Sequence, residues 1–456
     1  MSGAARFPEG FLFGAATSAY QIEGSPLADG AGPSNWHRFA HTPGRTLNGW
    51  TGDLACDHYR RWREDVELMG RLGLDAYRFS LSWSRIFPDG VGRVNPKGLD
   101  FYSRLIDALR EKRIEPVVTL FHWDLPAALD DLGGWLNPDA RHWFADYASA
   151  VFEALGDRVS WWCTINEPWV VVDAGYLYGV NAPGHRDLYE TPIVSHHLLR
   201  AHAEAVRRYR SIGRGRIGIV LNLEPKEPAS DRAEDVAAAE RGDVWMNRTF
   251  AEPLTSGRYP EELPALFGDA WPRWPEEEVD ALREPCDFVG LNWYTRAITR
   301  HDPSNPPLCG ARVHPPGAEV TETGWEVHAP SLLRTLRWMR ERFGATPILV
   351  TENGAAFPDP PTAAGGRIED PRRTSYLREH LGVVSQAIRE GIDVRGYFAW
   401  SLLDNFEWHS GYSKRFGLIH VDFASQRRTI KDSGLYYADV IRTRGAALGG
   451  IPAPKA

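Results

Sequence analysis

Pro347-Ile348-Leu349-Val350-Thr351-Glu352-Asn353-Gly354 reads as a short strand that ends in chemistry. Three consecutive apolar residues, Ile348, Leu349 and Val350, have the pattern of a strand buried on both faces of a parallel sheet. The run turns polar at Glu352 and Asn353 and breaks at Gly354, a turn former. A second stretch has the same form: Trp161-Trp162-Cys163-Thr164-Ile165, then Asn166-Glu167-Pro168. A carboxylate at the tip of a buried strand sits where parallel barrels place their reactive groups.

Six further apolar runs occur at residues 11–16, 76–81, 116–121, 217–221, 288–294 and 394–400. Between the runs the helical period returns. Tyr59, Trp62, Val66, Met69 and Leu72 share one stripe, as do Leu99, Tyr102, Ile106 and Leu109 behind Asn95-Pro96. Tyr376, Leu377, Leu381, Val384 and Ile388 form another, closed by Gly391. Eight strands alternating with helices predict a single α/β domain over residues 1–448. Its expected form is a closed (β/α)8 TIM barrel with long βα loops around a deep pocket. The alternation fades over residues 221–288 and 296–327, rich in Pro, Gly and charge, which read as long rim loops. Residues 449–456 read as a disordered tail.

Composition narrows the partners. The formal net charge is −8 with both signs interspersed, which argues against nucleic acid and against an anionic membrane surface. No stretch approaches the roughly 20 apolar residues of a membrane span. The N-terminus has no basic region followed by an apolar run, so a cytoplasmic location is the expectation. Cys56, Cys163, Cys286 and Cys309 show no metal-like spacing and read as free thiols. Eighteen tryptophans are more than a core usually needs, and indole faces suit the C–H faces of sugars.

The strand ends bring together Gln21 and Glu23, Arg78, then His122, Trp123 and Asp124. Asn166 and Glu167, Asn222, Asn292 and Tyr294, Glu352, and finally Trp400 with Asp404, Glu407 and Trp408 complete the set. Two acids among amides and indoles suit a neutral polyol ring with one reactive carbon, and a pair of carboxylates is what glycosidic cleavage requires. One His at these ends is too few for a metal, and no Gly-rich turn or Arg/Lys cluster offers a phosphate site, so no metal or cofactor is expected. Taken singly, Glu352 and Glu167 would be solvated acids, His122 a structural histidine, and Arg78 a buried ion-pair partner. Glu23, Trp123 and Asp124 are assigned to scaffold, and Asp404 and Asn405 to loop structure.

The chain resembles glycoside hydrolase family 1, the β-glucosidase family. Phe11-Leu-Phe-Gly-Ala-Ala-Thr-Ser-Ala-Tyr-Gln-Ile-Glu-Gly24 is similar to its N-terminal signature and Ile348-Leu-Val-Thr-Glu-Asn-Gly354 to its nucleophile signature. Four more blocks follow in order: Tyr77-Arg-Phe-Ser80, Phe121-His-Trp-Asp-Leu-Pro126, Thr164-Ile-Asn-Glu-Pro168 and Trp400-Ser-Leu-Leu-Asp-Asn-Phe-Glu-Trp408. The resemblance implies a retaining mechanism, with Glu352 as nucleophile and Glu167 as acid and then base, their carboxyls roughly 5–5.5 Å apart.

By the same resemblance Arg78, Tyr294 and Asn292 tune the nucleophile, with Arg78 and Tyr294 expected to lower the Glu352 pKa. Asn166 holds the 2-hydroxyl. Gln21, His122, Glu407 and Trp408 take the other hydroxyls, and Trp400 forms the floor. Phe416, Trp325 and Trp169 complete the substrate contacts. A carboxylate at Glu407 implies unphosphorylated sugars, since it would repel a phosphate. The chain departs from the family pattern at Asn181 and at Ala329, both on the leaving-group side. The substrate expected is a small β-glucoside, with galactosides or fucosides possible for the same clamp. The alternatives are a transglycosylating enzyme and a non-catalytic sugar-binding protein on the same fold, and retention of both glutamates favours catalysis.

Overall fold

A computed structural model describes residues 6–359 and 366–449. Every apolar run named above becomes a barrel strand. These are β1 (Leu12–Ala16), β2 (Ala76–Ser80), β3 (Glu115–Phe121), β4 (Trp161–Asn166), β5 (Arg216–Asn222), β6 (Phe288–Asn292), β7 (Ile348–Asn353) and β8 (Val394–Trp400). Each pairs in parallel with its neighbours, and β8 pairs with β1 to close the barrel. Apart from Arg395 in β8, strand interiors are buried, which is why they read as near-continuous apolar runs. The amphipathic stripes lie on the covering helices His58–Leu72, Pro96–Glu111 and Pro371–Arg389. Asn95 starts the second of these, its side chain accepting from the Lys97 amide at 3.3 Å ahead of Pro96.

Two shells of apolar contact result. Phe13, Tyr77, Val118, Trp162 and Ile219 pack outward against the helices, while Ala16, Val117, Cys163, Val220, Phe288 and Phe398 fill the barrel interior. Register shifts fall between Cys163 and Asn166 in β4 and between Val350 and Glu352 in β7. Such irregularities re-aim the side chains that follow them. Gly354 is obligatory, because a Cβ there would lie 1.8 Å from the Trp400 carbonyl oxygen. β7 and the Trp400 segment can approach only through it.

The segments read as rim loops are instead folded. Residues 221–288 contain the helices Ala233–Asp243, Thr249–Ser256, Leu263–Phe267 and Glu276–Asp280 and the short strand Lys226–Pro228. Residues 296–327 contribute the antiparallel strands Ala297–His301 and Gly310–Val313, which with Lys226–Pro228 make a three-stranded sheet. Helix Ala233–Asp243 packs on this sheet. Its order comes from partners about 60 residues away in sequence, which local periodicity does not report. Among the described residues no helix is long and apolar enough to cross a membrane, and all four cysteines are free. All of the predicted tail but Gly449 lies outside the described residues.

Candidate active site

The C-terminal ends of the strands converge on one buried polar network. Arg78 on β2 is fully buried and carries it. Its Nη1 donates to Glu352 Oε1 at 2.6 Å, its Nη2 to Asn166 Oδ1 at 2.5 Å, and its Nε to Thr119 Oγ1 at 3.2 Å. The Tyr294 hydroxyl donates to the other oxygen of Glu352 at 2.6 Å. Asn292 Nδ2 donates to Glu167 Oε1 at 2.7 Å and to Asn166 Oδ1 at 3.0 Å, and Thr351 holds the Asn292 carbonyl at 2.7 Å. One amide nitrogen therefore ties the acid that follows β4 to the Arg78 network that grips the acid on β7.

Glu167 follows β4 with left-handed backbone (φ 47°, ψ 65°) and precedes the helix Pro168–Val172. Trp123 (φ 79°) and Trp408 (φ 50°) share that sparsely populated region. Each costs on the order of 1–3 kcal/mol, and all three face the same cavity.

The two acids differ in their neighbours. Burial, the negative charge of Glu352 and little compensation raise Glu167 to about 8. Burial also raises Glu352, which corrects the expected net lowering. Arg78, Tyr294 and Asn292 pull it back but do not outweigh the loss of solvent around a carboxylate that is 3 % exposed. The negative charge of Glu352 is in turn the second cause that holds the proton on Glu167. Tyr294 stays protonated, pushed up by burial and by Glu352, and so remains a donor.

The cavity above is about 480 Å³ and is lined by Glu167, Asn292, Tyr294, Glu407 and Trp408, with Trp169 and Trp325 further out. Glu352, Gln21, His122, Asn166 and Trp400 lie behind that lining, none more than 4 % exposed. Gln21 Nε2 donates to the Phe406 carbonyl at 2.9 Å and to Glu407 Oε2 at 3.3 Å. His122 is held neutral by burial and by Arg78. Asn166 donates to its Nε2 at 3.1 Å, which leaves the hydrogen on Nδ1, a buried donor without a partner among the described residues. Trp400 stacks near His122 at 6.0 Å between ring centres, and Trp123 and Trp408 meet at 4.5 Å.

Phe416, 2 % exposed, packs against Tyr294 and Trp325 and lies behind the lining alongside Glu352 and Trp400. Two expectations change here. Trp123, assigned to scaffold, lines the cavity while its Nε1 donates to the Asn166 carbonyl at 3.0 Å. Burial and the nearby Glu352 charge raise Glu407 to about 8, so the charge that would repel a phosphate is progressively lost as pH falls through that value. Glu23 and Asp404 are structural as expected, paired with Arg85 and with Lys431.

The outer cavity holds residues that strand-end reasoning missed. Glu224, two residues beyond the end of β5, binds Lys226 at 2.5 Å and Arg312 at 2.6 Å, and all three line the opening. The spacing of Asn222 and Glu224 after β5 could have flagged Glu224. Arg312 arrives on the three-stranded sheet, and no local pattern marks it. Asn181 accepts from the His409 Nδ1 at 3.3 Å on the same side.

Paired buried carboxyls, one gripped by Arg78 and Tyr294 and the other raised well above the usual carboxylate range, on the strand ends of a (β/α)8 barrel define a barrel glycosidase site. The sequence profile of Glycosyl hydrolase family 1 matches residues 3–446. The chain belongs to that family. It is 49% identical over 444 residues to a 1,4-beta-D-glucan glucohydrolase of Thermotoga neapolitana, covering 96% of this chain and 99% of that protein. Beta-glucosidase A of Acetivibrio thermocellus is 44% identical over 443 residues, covering 96% and 99%. The solved family 1 β-glucosidase of Thermotoga maritima superposes with a TM-score of 0.94 at 49% identity, covering 97% of this chain and 99% of that one.

Proposed function

We propose that the chain removes terminal β-D-glucosyl residues from small β-glycosides, short β-1,4-glucans among them, with retention of configuration. The observation that carries this reading is the pairing of Glu352, gripped by Arg78 and Tyr294, with a Glu167 that titrates at about 8. In the first step a Glu352 oxygen attacks the anomeric carbon while the bond to the leaving oxygen breaks. That oxygen takes the Glu167 proton. Esterification removes the Glu352 charge, the second cause of the raised Glu167 pKa, so Glu167 becomes more acidic when it must serve as base. It then accepts a proton from water, whose oxygen attacks the anomeric carbon and releases Glu352 as carboxylate.

Asn166, oriented by Arg78, is assigned the 2-hydroxyl, where a contact strengthens in the transition state. The unpaired Nδ1–H of His122 and the linked Gln21–Glu407 pair are assigned other ring hydroxyls, with Trp400 and Trp408 against the ring faces. Trp169 and Trp325 are assigned to the leaving group. A galactosyl ring is a second reading, favoured by a solved structure of the Thermotoga maritima β-glucosidase in complex with galacto-hydroximolactam.

Trapping with a 2-deoxy-2-fluoro β-glucoside followed by peptide mass mapping tests the proposal. A label on Glu352 that is lost in Glu352→Gln is expected. Binding without label would favour a non-catalytic sugar-binding protein.

A further inference from the structure

Two side-chain clusters outside the catalytic network bring imidazole and carboxylate atoms within 4.8 Å of one another. In one, Asp359, Asp404 and His420 surround Lys431, whose Nζ lies 2.8 Å from an oxygen of each aspartate. Arg415 adds a second positive charge at 2.9 Å from Asp404. That cluster already contains its cation.

The other has none. His37 lies in the helix Asn35–Ala40, His41 caps its C-terminal end, and Asp53 comes from the loop that follows. His41 Nε2 is 3.0 Å from Asp53 Oδ2 and His37 Nδ1 is 3.5 Å from Asp53 Oδ1. No lysine or arginine pairs with Asp53 among the described residues, and His37 Nδ1 is shielded from solvent yet makes no hydrogen bond.

We propose that His37 Nδ1, His41 Nε2 and Asp53 form a binding site for a divalent transition metal of the zinc class. The spacing is within reach: the three ligand atoms lie within 4.8 Å of one another, and a tetrahedral ion with bonds near 2.05 Å would draw them to about 3.3 Å apart. The ligand chemistry fits as well, since two imidazoles and one carboxylate select Zn2+, Ni2+ or Cu2+ over Mg2+ or Ca2+. The orientation is prepared. His41 Nδ1 donates to the His37 carbonyl at 2.7 Å, which directs Nε2 at the site, the outer-shell contact typical of ligating histidines. A fourth position faces solvent and would take water, because Asp53 and His41 are each nearly half exposed.

The ion would staple the helix to the Asp53 loop. Trp36 on that helix packs 4.5 Å from Trp408, between ring centres, so the staple braces a wall of the catalytic cavity from behind. The proposal is independent of the sugar-cleaving assignment.

The test uses the untagged full chain titrated with ZnCl2, and with CoCl2 as a spectroscopic probe. One Zn2+ per chain, a rise in melting temperature that grows with Zn2+ concentration, and the visible bands of tetrahedral Co2+ are expected. In His37→Gln/Asp53→Asn the affinity falls at least tenfold, the thermal shift and the bands vanish, and metal-free glycosidase activity is unchanged. His41→Gln serves as a second, milder variant with the same expected losses. Equal binding by wild type and both variants would overturn the proposal, as would no binding by the wild type.

Discussion

The inner and outer halves of the pocket are built differently. Residues on strand ends make the inner half, and they are nearly solvent-free and cross-linked through Arg78, Asn166 and Asn292. The outer half comes largely from insertions, with Trp169, Lys226, Arg312 and Trp325 at least partly exposed. Preorganised charge in a dry site strengthens transition-state contacts, whereas an exposed indole contributes mainly apolar contact. Perturbation should therefore hurt catalysis less with each step outward.

Glu352→Gln should have the largest effect, a fall in kcat beyond roughly 10^4-fold, because no general acid–base assistance replaces a missing nucleophile. Steady-state rates on an aryl glucoside, with azide added to look for rescue, would measure it. A residual activity above about one per cent would break the assignment.

Glu167→Gln should cost about 10²–10⁴-fold on substrates with poor leaving groups and far less on activated aryl glucosides. The pH profile sharpens this. Glu167 must be protonated to act, so kcat/KM should decline as pH rises through about 8, and the variant should lose that limb. The stability sign follows from the same proton. A carboxyl whose folded value is raised costs nothing below its unfolded value near 4.5, and the cost grows between there and about 8. Thermal melts of Glu167→Gln should therefore gain on the wild type as pH rises through that window.

Tyr294→Phe removes one charge-assisted hydrogen bond to Glu352 and leaves Arg78 in place. A loss of about 10–100-fold in kcat, from the roughly 1.5–3 kcal/mol of such a bond, is expected in single-turnover measurements. Smallest is Trp325→Ala, with about a 2–10-fold change in kcat/KM for aryl or glucosyl leaving groups. Hydrolysis of a preformed glycosyl-enzyme, which has lost its leaving group, should be unaffected. A large effect of Trp325→Ala on that step would erase the distinction between the two halves.

The same division governs what could be read in advance. Glu352, Glu167 and Asn292 were legible because each stands at the end of a strand whose apolar run marks it and whose C-terminal end is the reactive face, and Arg78 because it is a charge set inside such a run. The three-stranded sheet was not, since Lys226–Pro228 is too short and too polar to show a period, and its partners begin some 70 residues on. Trp123, read as scaffold, lines the cavity. An indole has the same pattern value in a core and in a cavity wall, and only packing separates the two.

The chain alone determined the barrel, its eight strands and the two acids, because period, burial and strand-end position are local properties summed along it. Tertiary structure decided the protonation of Glu167, Glu352 and Glu407, the makeup of the outer rim, and the meeting of His37, His41 and Asp53. Those depend on distance and desolvation between groups remote in sequence or joined only by a loop, and a charge acts through space without regard to the order of residues.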